Sequence, residues 1–253
     1  MKASALAALL TLAALGAAAA EEALPPPGER FRDCADCPEM VVLPPGTFIL
    51  GKQGGRRAEA PATPAAIDAP FAIARTETTF DQYQACVDDG GCAEIPWDRD
   101  WGRADRPAIY VTFDEAQAYA DWLAARTGRA YRLPSEREWE YAALGGAPAP
   151  STGAGIANCD GCLSAAPGRT LPVGSLPPNG FGLHDMLGNV MEWTRDCWRP
   201  SHAAEAAQDC RARVRKGGSW YFDRTVSTPS YRASGRLTHE AYDVGFRVVA
   251  TTE

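Results

Sequence analysis

The chain has 253 residues, a formal net charge of −7 and a pI near 5.1. This acidic balance argues against nucleic acid or an anionic membrane surface as the main partner, because both require clustered basic side chains. The 24 glycines and 20 prolines are spread along the chain, which predicts many turns and few long helices.

The first segment, residues 1–20, has the pattern of a signal peptide. Lys2 precedes an apolar run of alanine and leucine, 3–20, which stops at Glu21 and Glu22. A charged start, an apolar centre and small residues before a polar break are typical of a cleaved export signal. A retained anchor is the alternative, because roughly 18 apolar residues can cross a bilayer. The alanine-rich composition favours cleavage, so we expect a periplasmic or secreted protein that does not span a membrane afterwards.

The remaining part suits one large domain with a substantial core, since about 230 residues are left after cleavage. Residues 21–37 begin with an acidic, proline-rich stretch without an apolar period, which predicts a flexible lead-in. The domain itself is expected over 38–253.

The eight cysteines fall into four close sequence pairs, which predicts disulfides in an exported chain. Local pairing is a preference, because eight cysteines permit about a hundred connectivities. A zinc site built from the two CxxC pairs is disfavoured, because more than 120 residues separate them where a zinc ribbon uses about 15 to 20. A redox-active CxxC is disfavoured too, since neither pair lies between a strand and a helix start. The expected disulfides are Cys34–Cys37, Cys86–Cys92, Cys159–Cys162 and Cys197–Cys210.

Short strands are predicted near the start of the domain. The apolar stretches 40–43 and 47–50 surround a Pro-Pro-Gly turn and predict a hairpin, and 71–74 predicts another strand.

Three capping boxes predict helix starts, because a Thr or Ser is followed three residues later by Gln or Glu at Thr79, Thr112 and Ser135. The first helix should stop near 88–91 and the second at Gly128. The second half of the chain has almost no helical period, and function is expected on its loops.

Six segments in this order resemble the formylglycine-generating enzyme (sulfatase-modifying factor) family: MVVLPPGTFILG at 40–51, ETTFDQY at 77–83, RLPSEREWEYA at 132–142, PPNGFGLHDMLGNVMEWT at 177–194, RKGGSW at 215–220 and GFR at 245–247. The resemblance covers roughly 38–251. It implies an α+β fold of the C-type-lectin-like kind, with little regular secondary structure and here stapled by disulfides.

The same resemblance implies several functions. Some members oxidise a sulfatase cysteine to formylglycine with O2 and copper. Others are iron enzymes of ergothioneine synthesis, pyoverdine-maturation proteins, or proteins with no established catalysis. Membership of the fold therefore does not settle the function.

A calcium site is implied by the resemblance at Asp185, Gly188, Val190 and Glu192, through the acidic side chains and the Gly and Val carbonyls. Such oxygen ligands suit a hard cation. The alternative is that Asp185 is a surface acid and Glu192 a buried ion-pair partner.

A second calcium ion would use the Asn158 side chain and the Cys159 carbonyl, followed by a downstream aspartate. The stretch 163–170 contains no acid, so this site lacks a ligand unless Asp160 replaces it.

The positions of copper chemistry depart from the family. Its active cysteines stand three and eight residues after the serine of a Gly-Gly-Ser motif, and counting from Ser219 gives Phe222 and Ser227. Copper(I) selects soft thiolates, which neither side chain can replace, and a serine cannot exchange with a substrate thiol. Met191 replaces a tryptophan that lies beside the family's oxygen site. The sequence identifies no catalytic residue and disfavours copper.

Iron is also disfavoured, because His184, His202 and His239 lack the spacing of a facial triad.

The remaining frame of the family's pocket is aromatic and basic, and it suits an extended peptide or an anionic small molecule. The alternative places the aromatic residues in the core and pairs the arginines with Asp223 or Asp243. The pocket candidates are Ser219, Trp220, Tyr221, Phe222, Ser227, Arg232 and Arg236.

We expect an exported, calcium-stabilised binding or accessory protein of the cell envelope, whose partner is an envelope protein or a peptide. The alternative is an oxidase variant with non-cysteine metal ligands that acts on a cysteine-containing peptide or a siderophore-like molecule. A third hypothesis is a purely structural lectin-like module.

Overall fold

The computed structural model describes residues 23–94, 97–147, 155–164, 167–205 and 209–252. The predicted signal peptide at 1–20 lies outside these residues. Within them the chain forms three α-helices and eleven short strands: β1 (Arg30–Phe31), β2 (Met40–Leu43), β3 (Gly46–Leu50), β4 (Thr63–Ile67), β5 (Phe71–Ala74), α1 (Phe80–Asp88), α2 (Phe113–Thr127), β6 (Ala130–Arg132), α3 (Glu136–Leu144), β7 (Met191–Cys197), β8 (Ala212–Lys216), β9 (Ala233–Arg236), β10 (Val244–Gly245) and β11 (Val249–Thr251).

All three predicted helices begin at their capping boxes. In α1 the Thr79 hydroxyl accepts from the Gln82 backbone N–H at 3.2 Å, and the Gln82 side chain accepts from the Thr79 N–H at 3.0 Å. The same reciprocal pairs cap α2 and α3. Helix α2 stops before Gly128, whose φ of +76° is a left-handed conformation that glycine adopts without strain.

Two larger sheets and a two-stranded ribbon organise the strands. The five-stranded sheet has the order β1-β2-β5-β11-β6, the four-stranded sheet has β10-β7-β8-β9, and β3 pairs with β4. The predicted hairpin of β2 with β3 is therefore wrong, because β2 pairs with β5 and β3 with β4. All four residues of β2 are buried, as suits a strand with partners on both edges, whereas β3 alternates between intermediate and exposed positions.

The described part of the predicted flexible lead-in, 21–37, is attached to the domain. Strand β1 pairs with β2. The Asp33 carboxylate accepts from the Arg129 guanidinium at 2.9 Å and from the Tyr131 hydroxyl at 2.6 Å. An edge strand and a buried ion pair thus hold residues that composition alone assigned to a loose segment.

Four disulfides join the eight cysteines in the expected local pairs, Cys34–Cys37, Cys86–Cys92, Cys159–Cys162 and Cys197–Cys210. The sequence separations are 3, 6, 3 and 13 residues, so each bond fixes one turn or loop. The main core is held by packing instead: Tyr119 contacts the rings of Tyr83 and Phe246 at 5.9 and 5.3 Å between centroids.

None of the helices in the described part of the chain has the length and apolar character needed to cross a membrane.

A buried ionic cluster joins α3 to β8. The Lys216 ammonium, with no solvent exposure, lies 2.8 Å from the Glu140 carboxylate and 3.6 Å from that of Glu136. Burial alone would raise the pKa of Glu136, but a hydrogen bond from His202 and the charges of Lys216 and Arg232 lower this pKa to about 2.

Replacing Lys216 by methionine should lower the free energy of unfolding by about 3–5 kcal/mol, because buried Glu140 loses the ammonium that pairs with it and Glu136 loses one of its cationic neighbours. Urea denaturation at neutral pH measures the change. Lys52→Met is the matched control, since Lys52 is exposed and should change stability by less than about 0.5 kcal/mol. Equal stability of the two variants would contradict the role of the cluster.

Candidate functional site

A groove with a volume of about 470 Å³ lies where β8 and β9 meet the loops after them. Its walls carry five aromatic side chains, and its charged groups include one arginine and two acids. We call this the aromatic groove; it is lined by Tyr110, Met191, Arg215, Tyr221, Phe222, Tyr231, Ala233, His239, Glu240, Ala241, Tyr242 and Asp243.

Two glycines at the end of β8 direct the chain into one wall of the groove. Gly217 and Gly218 have φ values of +93° and +70°. A Cβ atom on Gly218 would lie 2.5 Å from the Ser227 hydroxyl and 3.0 Å from the Val226 carbonyl oxygen. Only glycine satisfies both the left-handed backbone and this close approach, which explains the Gly-Gly-Ser segment physically.

Ser219 connects the loop after β8 to the segment that carries Asp243. It is fully buried, and its hydroxyl lies 3.3 Å from an Asp243 carboxylate oxygen, to which it donates. The same hydroxyl accepts from the Tyr221 backbone N–H at 3.3 Å. The loop that carries Tyr221 is therefore fastened to the segment that carries Asp243.

Trp220 supports the aromatic wall from behind. Its ring centroid lies 5.3 Å from that of Trp101 and 5.6 Å from those of Tyr221 and Tyr242. Tyr221 itself is 55% exposed, which places a large aromatic face in contact with solvent.

The ionisable groups of the groove have perturbed pKa values. Burial raises the pKa of Asp243, and the charge of Arg215 and the bond from Ser219 oppose this only in part. Burial and the charge of Arg215 lower the pKa of His239 against the effect of Asp243, so its imidazole is neutral at pH 7. A carboxyl and an imidazole perturbed in the same groove are typical of a site that binds or transfers protons.

Five of the seven predicted pocket residues lie in the groove wall or behind it. Tyr221 and Phe222 line the aromatic groove. Ser219 and Trp220 lie behind its wall. Ser227 is buried beneath Gly218.

The two predicted arginines lie outside the groove. Arg232 is buried, donates to Glu136 at 3.0 Å and to the Ala58 carbonyl at 2.6 Å, and thus compensates a buried acid. Arg236 lies on β9 opposite Ala212, with its side chain exposed. Neither pairs with Asp223 or Asp243.

Sequence reasoning missed Tyr110, Arg215, Tyr231 and His239 as groove residues. They come from three separate stretches of chain that only the tertiary structure joins, so no local pattern could have connected them. Asp243 lies two residues before the family segment Gly-Phe-Arg at 245–247, and this proximity could have indicated that its stretch of chain contributes to the groove.

The three histidines lie in three different places. His184 hydrogen bonds to the Leu176 carbonyl and the Arg75 guanidinium, His202 lies 3.6 Å from Glu136, and His239 lines the groove. They do not form a common iron site.

The residues that match the calcium site surround the start of β7. Glu192 is fully buried, and its carboxylate accepts from Arg247 at 2.7 and 2.8 Å and from the Trp139 indole at 2.7 Å. Asp185 accepts from the Gly174 N–H at 2.7 Å.

The Asn158–Cys159 segment lies against this loop. The Asn158 carbonyl accepts from the Asn189 N–H at 2.8 Å, and a Cβ atom on Gly188 would lie 2.3 Å from that same carbonyl oxygen. Val190 follows Asn189, with its N–H donating to Glu77 at 3.1 Å.

Glu77 is a third buried carboxylate at this place. Burial raises its pKa well above the usual range, and the charges of Asp185 and Glu192 add to the effect, while Arg247 opposes it. Three acids share one guanidinium here, so a bound cation would stabilise their ionised forms. The Glu192 oxygens already accept three hydrogen bonds, however, and the described residues contain no group of three or more His, Cys, Asp or Glu side chains arranged to hold a metal ion. A cation here would rely on Asp185 and backbone carbonyls.

This loop is bonded directly to the groove. The Gly188 N–H donates to the Gly217 carbonyl at 2.8 Å, and the Trp220 N–H donates to the Asn189 carbonyl at 3.0 Å. The Asp160 N–H donates to the Phe222 carbonyl at 2.9 Å. These hydrogen bonds join residues 184–190, which we call the acidic loop, and Asp160 to the wall of the groove.

Gly218→Ala should lower the free energy of unfolding by about 1–3 kcal/mol more than Gly28→Ala, measured by thermal or urea unfolding. Both glycines have positive φ, but a Cβ at Gly28 meets no atom within 4 Å, so this control carries the backbone cost alone. Equal losses would show that the contact with Ser227 is not restrictive.

Comparison with known proteins identifies the fold. The model of the sulfatase-modifying factor enzyme 1-like domain family matches residues 27–252, and so begins upstream of residue 38. The formylglycine-generating enzyme of Mycobacterium tuberculosis is 36% identical over 64% of this chain and 64% of its own length. The bovine formylglycine-generating enzyme is 27% identical over 84% of this chain and 74% of its own.

Among solved structures, PvdO from Pseudomonas aeruginosa superimposes with a TM-score of 0.79, at 30% identity, over 90% of this chain and 100% of that chain. The expected fold, a mixed α+β arrangement of the formylglycine-generating enzyme kind with few helices and disulfide staples, is confirmed. The chain belongs to the sulfatase-modifying factor enzyme 1-like, or formylglycine-generating enzyme, family.

Proposed function

We propose that this chain is an exported binding or accessory protein of the cell envelope, which holds its ligand in the aromatic groove and lacks copper-thiolate oxidase activity. The observation that carries the proposal is the state of the thiols. All eight cysteines are engaged in disulfides, and Phe222 and Ser227 occupy the positions that the family resemblance gives to the active cysteines.

The loss of thiolates removes the copper ligands, because a phenyl ring cannot bind copper(I) and a buried serine hydroxyl is a hard ligand. Phe222 instead adds an apolar surface to the groove wall. The groove volume of about 470 Å³ lies within the range of small-molecule sites, roughly 300–1,000 Å³. Aromatic walls with a few polar groups suit specific binding.

Export is supported by the signal-peptide pattern at 1–20 and by the four disulfides, which persist in oxidising compartments. The partner proposed for the groove is a peptide or a small molecule of that compartment.

Calcium is the stabilising ion that we propose for the acidic loop. The support is the group of three buried acids, Glu77, Asp185 and Glu192, which share the single guanidinium of Arg247, together with the Gly188 turn beside them. Bound calcium would offset the repulsion between these carboxylates. A second ion at Asn158 and Cys159 is less well supported, because the Asn158 amide already donates to Arg169 and Asn189.

An oxidase variant with non-cysteine ligands is the second candidate. Relatives named formylglycine-generating enzyme and hercynine oxygenase favour it, as do His239 and Asp243, which lie together in the groove. Its substrate would be a cysteine-containing peptide or a siderophore-like molecule.

Oxygen uptake separates the two candidates. Mature protein incubated with copper or iron, a reductant and a cysteine peptide should consume no O2 beyond the same mixture without protein, because no thiolate site exists to activate it. The double variant Phe222→Cys with Ser227→Cys is the matched comparison and should gain one equivalent of copper(I). Steady turnover by the unmodified protein would favour the oxidase.

Calcium binding should raise the melting temperature. With calcium at about 100 times its dissociation constant, the gain of about 2.7 kcal/mol corresponds to roughly 5–10 °C, and a chelator should abolish it. Asp185→Asn should remove the calcium-dependent shift, whereas Asp68→Asn, at an exposed position, should keep it. A melting temperature that is the same with calcium and with chelator would rule out the ion.

A further inference from the structure

Two arginines at the aromatic groove make no direct ion pair. Among the described residues, no carboxylate lies within ion-pair distance, 4.0 Å, of the Arg99 or Arg215 guanidinium. The Nε atoms of both are buried without a hydrogen-bond partner. A partly buried guanidinium that touches no carboxylate, with only the more distant charge of Asp243 acting on Arg215, gains from an anionic ligand.

Arg99 is held in place by aromatic rings. Its guanidinium carbon lies 4.7 Å from the centroid of Tyr242, 5.1 Å from that of Trp101 and 5.6 Å from that of Trp97. It also donates to the Tyr110 hydroxyl at 3.4 Å. Tyr110 and Tyr242 both line the groove, so this cation is oriented at its edge at little entropic cost on binding.

Arg215 lies within the lining of the groove itself. It donates to the Ser234 carbonyl at 2.8 Å, and its guanidinium carbon lies 5.4 Å from the centroid of the Trp193 ring. These two contacts fix the plane of the guanidinium and leave donors available to a ligand, since Arg carries five N–H groups.

The segment that carries Arg99 is strained. Of six non-glycine residues with positive φ in the described chain, four lie between 99 and 110: Arg99, Asp100, Ala104 and Tyr110, at 54–60°. Such conformations cost about 1–3 kcal/mol each and concentrate at ligand sites. Here the strained backbone places both Arg99 and the groove residue Tyr110.

We infer that the aromatic groove binds an aromatic anion, with the ring of the ligand against the tyrosines and its carboxylate or similar acidic group between Arg99 and Arg215. This inference rests on the proposed binding function. The acidic group belongs either to a small aromatic acid or to an acidic, tyrosine-containing peptide.

Asp243 and Glu240 also line the groove and would repel an anion unless Asp243 takes up a proton. Asp243 faces Arg215, His239 and the Ser219 hydroxyl, and its own neighbour Tyr242. A bound anion raises the pKa of Asp243 and of His239, so the complex binds protons more readily than the free protein. By linkage, affinity for the anion should rise as pH falls and weaken as pH rises.

Three ligands that share one ring test the charge preference: 4-hydroxyphenylacetate, the neutral 4-ethylphenol and the cation tyramine. Each ligand is titrated into the mature protein at several pH values between 5 and 8, and binding is measured by calorimetry or tryptophan fluorescence. The acid should bind at least about tenfold more tightly than tyramine. The peptides acetyl-Glu-Tyr-Glu-amide and acetyl-Lys-Tyr-Lys-amide form the second arm, and a preference confined to peptides would identify a polypeptide as the source of the anion.

Arg99→Gln should weaken binding of the acid by about tenfold and leave the neutral phenol nearly unchanged. Arg57→Gln, at an exposed arginine outside the groove, is the matched control and should bind like the unmodified protein. Asp243→Asn should tighten binding of the acid and reduce its pH dependence. Circular dichroism establishes that each variant is folded.

Tighter binding of tyramine or 4-ethylphenol, or an Arg99→Gln variant with unchanged affinity for the acid, would overturn the inference while leaving the proposed binding function in place. Failure of every ligand and both peptides to bind would count against both the inference and the binding function.

Discussion

The buried ion pair of Arg247 and Glu192 holds four parts of the fold together. Both side chains are fully buried, and the guanidinium meets the carboxylate through two hydrogen bonds. Arg247 also donates to the carbonyls of Ala74 and His184, and Glu192 accepts from Trp139. One ion pair thus connects the end of β5, the start of β7, α3 and the acidic loop. Because a buried charge without its partner costs several kcal/mol, these elements must assemble together.

The aromatic groove and the acidic loop are joined by backbone hydrogen bonds. The backbone of 188–189 bonds to 217–220, and Asp160 bonds to Phe222, so the loop that would hold a cation also carries the groove wall. The wall in turn requires Gly218, because only a residue without Cβ fits over Ser227. The two positions that the family resemblance would give to thiols belong to this frame: Phe222 lines the groove and Ser227 packs against Gly218.

Short sequence patterns predicted the features that depend on residues close together in the chain. The capping boxes predicted every helix start, and close spacing predicted the disulfides, because both depend on residues a few positions apart. Strand pairing could not be predicted in the same way, because β2 and β3 are adjacent in sequence and yet belong to different sheets. Only part of the groove could be predicted from the sequence. Tyr221 and Phe222 follow a recognisable motif, whereas Arg99 and Arg215 are functional candidates because their Nε atoms are buried without a hydrogen-bond partner, which only the folded structure shows.

The position of β11 has a consequence for the order of folding. This strand lies between β5 and β6, so the centre of the five-stranded sheet is completed by residues far downstream of both neighbours. Contacts between residues so distant in sequence form slowly, because a long chain must close before they contribute any stabilisation. A nascent chain therefore exposes the apolar edges of β5 and β6 until residues 249–251 have emerged, and it stays open for most of its synthesis.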